Sequence, residues 1–185
     1  MKKIIVLLFV LSVSMLNAQA YKGKGDIKFQ VGALLQSWGT GIVVGSDFGM
    51  GENISFGFIT SYLLSVKDQN VPFDNYTLLP DPNDPAFMNS RKLEPEFVDR
   101  IDIKARFNAN IGNVIGLPSN MDVYTGLSLG LRNFGGHAGF RYFFTNGFGV
   151  YGEAGFPIAK YDQNVTDFDK LNNQFTFAIG ASFNL

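Results

Sequence analysis

QFTFAIGASFNL, residues 174–185, closes the chain in unbroken alternation. Phe175, Phe177, Ile179, Ala181, Phe183 and Leu185 fall on one side; Gln174, Thr176, Ala178, Gly180, Ser182 and Asn184 fall on the other. Successive side chains of a strand point to opposite faces, so this stretch predicts a strand with one apolar face and one small or polar face. The same period recurs upstream, and helical periodicity is nearly absent after residue 20. It predicts seven more strands, over residues 26–36, 40–50, 54–67, 97–111, 121–132, 137–144 and 148–159. Their apolar faces are rich in large residues, such as Phe56, Phe58, Tyr62 and Leu64 in the third and Ile101, Ile103 and Phe107 in the fourth.

The connections alternate in length. Gly51-Glu52-Asn53 and Thr145-Asn146-Gly147 are three-residue turns that keep the apolar faces in register, with Met50 facing Ile54 and Phe144 facing Phe148. The second fits a type I turn with Gly147 in the left-handed position. Gly112–Asn120 is longer than the other turns expected at that end. At the opposite end, Asp68–Glu96 holds five of the seven prolines: Pro72, Pro80, Pro82, Pro85 and Pro95. Proline suppresses strand formation, and short turns at one end with a long loop at the other are the pattern of an outer-membrane barrel.

Residue size decides which face is inside. Phe29, Phe48, Phe56, Phe58, Phe97, Phe107, Phe140, Phe144, Phe148, Phe156, Phe175, Phe177 and Phe183 sit on the apolar face, and Phe143 sits alone on the other. Glycine does the reverse: Gly32, Gly41, Gly45, Gly49, Gly57, Gly126, Gly130, Gly139, Gly149, Gly155 and Gly180 share the polar face, against Gly152 on the apolar one. An eight-stranded interior is just wide enough for side chains to fill it and cannot hold that many phenylalanines. The apolar face therefore points outward, to lipid. Charge agrees: Asp26, Lys28, Asp47, Lys67, Arg100, Asp102, Lys104, Arg106, Asp122, Arg132, Arg141 and Glu153 lie on the polar face, and only Asp99 on the other. The fold expected is all-β, an eight-stranded antiparallel up-and-down transmembrane β-barrel, with first and last strands paired so that no edge is exposed.

The N-terminus reads as an address. Lys2 and Lys3 precede the apolar run Ile4–Leu16, and Ala18 and Ala20 supply the small residues a signal peptidase reads. The run is shorter than the roughly 20 residues a spanning helix needs. Residues 1–20 are expected to be a signal peptide and 21–185 the barrel. Composition excludes other classes. The chain has 185 residues, no cysteine, a net charge of −1, 46% hydrophobic and 17% charged residues. Disorder, a disulfide scaffold and thiolate metal sites are thereby excluded, and nucleic acid is not expected as a partner.

The segment GFRYFFTNGFGVYGEAGF (139–156), with the terminal FTFAIGASFNL, resembles the small porin-like outer-membrane barrels of Gram-negative bacteria, the OmpX, OmpW and opacity-protein group. The resemblance covers the chain after residue 20 and implies architecture rather than activity. In that group the alternating C-terminal strand is the assembly signal and usually ends in Phe; here it ends in Leu185, with Phe183 two residues earlier. The resemblance implies a cell-envelope protein of the outer membrane, both termini periplasmic, in contact with outer-membrane lipid, lipopolysaccharide and the barrel-assembly machinery.

Three groups of residues could carry function. Arg100, Asp102, Lys104, Arg106, Arg141 and Glu153 are expected to form a polar network in the lumen, with Gly139 opposite Glu153, Arg141 diagonal to it, and Arg106 reaching the same layer. Buried charges need partners, so this reads as a plug; the alternative is a narrow conduit. The long loop 68–96 carries Phe73, Tyr76 and Phe87 and reads as a contact surface for an extracellular partner. His137 is the one histidine, and nothing in the spacing forces it together with Ser128 and Glu153. No catalytic, cofactor or metal site is expected, and the chain is expected to be a monomer. The function expected is a structural or surface-interaction role, with passive transport of a small solute or hydrophobic molecule as the alternative.

Overall fold

A computed structural model describes residues 19–67, 95–161 and 171–185. Eight strands follow in chain order: β1 (Ile27–Gln36), β2 (Gly39–Gly49), β3 (Ile54–Val66), β4 (Ile101–Asn110), β5 (Met121–Gly130), β6 (Asn133–Phe143), β7 (Phe148–Lys160) and β8 (Thr176–Asn184). Each pairs antiparallel with its neighbour in sequence, and β1 pairs with β8, so the sheet closes on itself as an up-and-down barrel. Strands of about 9–11 tilted residues cross a bilayer's apolar layer, and these run from 9 to 13. No described helix is long and apolar enough to cross a membrane.

Burial follows the alternation. Along β8, Ser182 and Ala178 are buried and Phe177 and Ile179 are exposed. The buried side chains of the barrel are largely polar or charged, including Lys28, Gln30, Asp47, Arg106, Asn108, Asp122, Arg141 and Glu153, while Leu127, Leu129, Phe107, Phe156 and Ile158 face out. Such a molecule has its polar face within and its apolar face toward lipid.

Two tight turns keep the expected register. Met50 and Gly51 donate to the Ile54 carbonyl at 2.9 and 3.2 Å, and Phe144 and Thr145 donate to that of Phe148 at 3.0 and 3.2 Å. Gly147 does not take the left-handed conformation expected of it; the described glycines with positive φ are Gly23, Gly25 and Gly116. The Thr145 hydroxyl closes the turn instead, accepting from the Phe148 N–H at 3.1 Å.

Two strand boundaries differ from expectation. Phe97–Arg100 is a helical turn, α1, started by a reciprocal cap in which Asp99 accepts from the Glu96 N–H at 2.9 Å. Asp99 is therefore not a lipid-facing charge. Strand β6 begins at Asn133, four residues earlier than expected, because Gly135-Gly136 is strand and not turn. Gly135 lies against the Phe156 carbonyl and Gly136 under the Phe156 ring, so neither position has room for a Cβ. A register shift between Phe134 and Gly135 accommodates the extra residue of β7. The Gly112–Asn120 connection is held by its own bonds, including Leu117 N–H to Gly112 O at 2.9 Å.

Candidate functional site: the filled lumen

The lumen is occupied at three levels. Nearest the end where β1 begins and β8 finishes, Lys28 pairs with Asp26 and lies over the rings of Phe143 (5.5 Å) and Tyr21 (5.9 Å). Phe143 turns inward and is fully buried. Tyr21 precedes β1 and donates its phenol to the carbonyls of Ile54 (2.7 Å) and Gly51 (3.0 Å). Burial, reinforced by the Asp26 carboxylate, pushes that phenol up to about 12, so it remains a donor.

Two arginines cross the middle level. Arg106 of β4 pairs with Asp47 of β2 (Nε to Oδ1, 2.9 Å) and with Glu153 of β7 (Nη1 to Oε2, 3.0 Å). Arg141 of β6 also pairs with Asp47, reaches Asp122 at 3.7 Å, and donates to Asn110 at 3.4 Å. Its guanidinium stacks 3.9 Å from the centre of the Tyr124 ring, a cation–π contact in a dry setting. The Tyr124 phenol donates to Glu153 at 2.7 Å. A carboxamide chain continues the layer: Asn108 and Asn110 both donate to Ser55 Oγ (3.1 and 3.2 Å), and His137 Nε2 lies 2.6 Å from Asn108 Oδ1. Arg141 and Tyr124 have no exposed surface. Buried ions are tolerated only with this kind of pairing.

The third level lies toward the opposite end. Leu34, Val43, Leu63, Tyr151 and Ala178 form an apolar cluster inside the barrel, and Leu171 fills it. Asn172 and Asn173 follow across the mouth. Between this level and the arginines is a cavity of about 60 Å³, bordered by Thr60, Asp102, Ser128, His137, Gln174 and others.

The six residues expected in one network divide. Arg106 and Glu153 meet, and Gly139 is opposite Glu153 in the register. Arg141 joins the layer but bonds Asp47 and Asp122; the partners of Glu153 are Arg106 and Tyr124. Asp102 and Lys104 pair with each other at 3.3 Å, beside the cavity. Arg100 is outside the network altogether: it belongs to α1 and donates to the carbonyls of Pro95 (3.3 Å) and Leu64 (3.4 Å). Asp47, Asp122, Tyr124 and the carboxamides Asn108 and Asn110 were members that sequence reasoning missed. The available signal was phase, since Tyr124 shares a face with Asp122 and stands opposite Gly139. Phe73, Tyr76, Phe87 and Ala18 lie outside the described residues. Ala20 is fully buried and donates its N–H to the Ser119 carbonyl at 2.7 Å. Ser128, His137 and Glu153 all border that cavity, and both oxygens of Glu153 are engaged by Arg106 and Tyr124.

Known structures share the architecture. The N-terminal β-barrel domain of Pseudomonas aeruginosa OprF superimposes with a TM-score of 0.53 at 8% identity, covering 89% of this chain and all 100% of that one. A chain from the de novo design of transmembrane β-barrels gives 0.52 at 9% identity, covering 89% and 98%. At such identities the likeness is one of fold. No curated protein matches the chain. A family model does, over residues 9–185, nearly the full length. The chain belongs to that family, DUF6646, a family of unknown function.

Proposed function

We propose that the chain is an outer-membrane protein of a Gram-negative envelope with a structural or surface-interaction role. Residues 1–20 are its signal peptide, the barrel is its anchor, and loop 68–96 is its contact surface. In this reading the end with the termini faces the periplasm, and the outward apolar belt meets outer-membrane lipid and lipopolysaccharide. Its relatives in architecture are the small porin-like barrels. The chain carries no catalytic site.

The observation that carries the proposal is the lumen filled at three levels, with two ion-paired arginines across the middle. A pore needs a continuous polar path, and here charges that could line one are spent on each other. The interior cavity favours a second reading, passive passage of a small solute or hydrophobic molecule, because it leaves the upper lumen incompletely filled. Planar-bilayer conductance and solute uptake by reconstituted vesicles separate the two. Baseline conductance and no uptake are expected; a steady channel current moves the assignment to transport. Photo-crosslinking from Tyr76 in intact cells then tests the contact loop, with a discrete adduct expected.

A further inference from the structure

Leu171, Asn172 and Asn173 cross the mouth of the barrel as one bonded unit. Leu171 has no exposed surface and sits among Leu34, Val43 and Leu63, inside the lumen. Asn172 then reverses the chain with a φ of 59°, the only positive φ among the described non-glycine residues. Asparagine tolerates that conformation better than other side chains, yet it is uncommon and persists where its surroundings hold it. They do so from three walls. The Asn172 N–H donates to Gln36 of β1 at 3.2 Å, and its side chain donates to the Arg100 carbonyl at the foot of β4 at 3.4 Å. Asn133 of β6, itself buried, donates to the Asn172 carbonyl (3.0 Å) and to the Asn173 side chain (3.1 Å).

Directly beneath is the partly open cavity of about 60 Å³, which Asn172 borders. It has room for a few waters. Its floor is the Arg106–Glu153 pair.

We propose that Leu171–Asn173 is a stopper for the loop end of the lumen, and that lifting it joins the partly open cavity and the Leu171 slot into one wider blind chamber on that side. The stopper works through two separable parts. The leucine fills the apolar slot, and the asparagines fix the crossing by bonds to three different strands or their approaches. The chamber is a cup rather than a channel, because the arginine layer below does not depend on the stopper.

The chain has no cysteine, so a single introduced thiol reports access without background. Ser128 borders the cavity and is nearly isosteric with cysteine. Full-length protein carrying Ser128→Cys, folded in vesicles, is treated with a membrane-impermeant methanethiosulfonate. The thiol is expected to react at least tenfold faster when Leu171→Ala and Asn133→Ala are added. Conductance is expected to stay at baseline in both. Equal rates in the two proteins overturn the proposal, and so does a parent rate matching that of Ser37→Cys at the exposed rim. The heat-modifiable gel band verifies folding. Should the combined variant lose that band, Gln36→Ala replaces it, since this removes only the acceptor of the Asn172 N–H. A rate increase there of at least threefold supports the stopper, and an unchanged rate overturns it.

Discussion

Asp47 accepts from both lumen arginines, while Glu153 is shared between Arg106 and Tyr124. Removing one member of a buried ion pair leaves an uncompensated charge, which costs about 3–5 kcal/mol. Asp47→Ala takes the shared carboxylate from both guanidinium groups, leaving Arg106 with Glu153 and Arg141 with Asp122 at 3.7 Å, and is expected to lose about that much. Glu153→Ala leaves Arg106 with Asp47 and orphans one phenol, a loss nearer 1–3 kcal/mol. Urea unfolding midpoints in detergent check the order; a Glu153→Ala midpoint at or below that of Asp47→Ala refutes it. The hub escaped sequence reading for a geometric reason. Alternation assigns faces and register assigns neighbours, so Arg141 was matched with the diagonal Glu153. A guanidinium inside a narrow barrel also reaches the far wall, and Asp47 on β2 is four strands from Arg141 on β6. Gly139 shows what register does reveal. It stands opposite Glu153 and Tyr124, and the Tyr124 ring fills the space its own side chain would take. Gly139→Ala forces that ring off Arg141 and is expected to cost about 1–3 kcal/mol, as overpacking does. An unchanged unfolding midpoint for that variant counts against the tight fit.

At the scale of elements, the strands were legible because each has lipid on one face and paired polar groups on the other. β8 is the plainest case: Phe177 and Ile179 face out and Ala178 and Ser182 face in. Where that contrast lapses, the reading lapsed too. Asp99 looked like a charge on a lipid face until α1 placed it in a capping turn, 3.6 Å from Arg132. Gly135-Gly136 fell between two expected strands because glycine reports both turns and close packing, and here the neighbour is Phe156. The outward face carries its own prediction. Ile179 is 54% exposed and pairs in register with Ala33 and Gly152, well inside the strand ends. A cation at mid-bilayer on a barrel's outer face costs about 2–4 kcal/mol. Ile179→Arg is expected to lose that much in lipid vesicles. Equal stability of this variant and the parent there would show that Ile179 does not meet lipid.

The whole molecule places its three fillings in series, and series closure has a measurable consequence. Lys28 with Phe143 occupies one end, the arginine layer the middle, and Leu171 with its asparagines the other end. Each level rests on different strands and different chemistry: a buried ion pair under a ring, a charge network, and an apolar slot. Opening one level leaves two. Leu171→Ala alone and Asp47→Ala alone are therefore expected to show baseline conductance in planar bilayers, even where the second is clearly destabilised. Stability and permeability come apart in this molecule, because the barrel wall is held by strand pairing, including the β1–β8 seam from Lys28–Asn184 to Gln36–Thr176. Combining Leu171→Ala with Arg106→Ala, Arg141→Ala, Asp47→Ala and Phe143→Ala removes bulk at all three levels while leaving that seam intact. Current through this variant and not through the single ones is the expected result. A steady current through either single variant would mean that one level alone closes the lumen, and that the other two fill space without closing it.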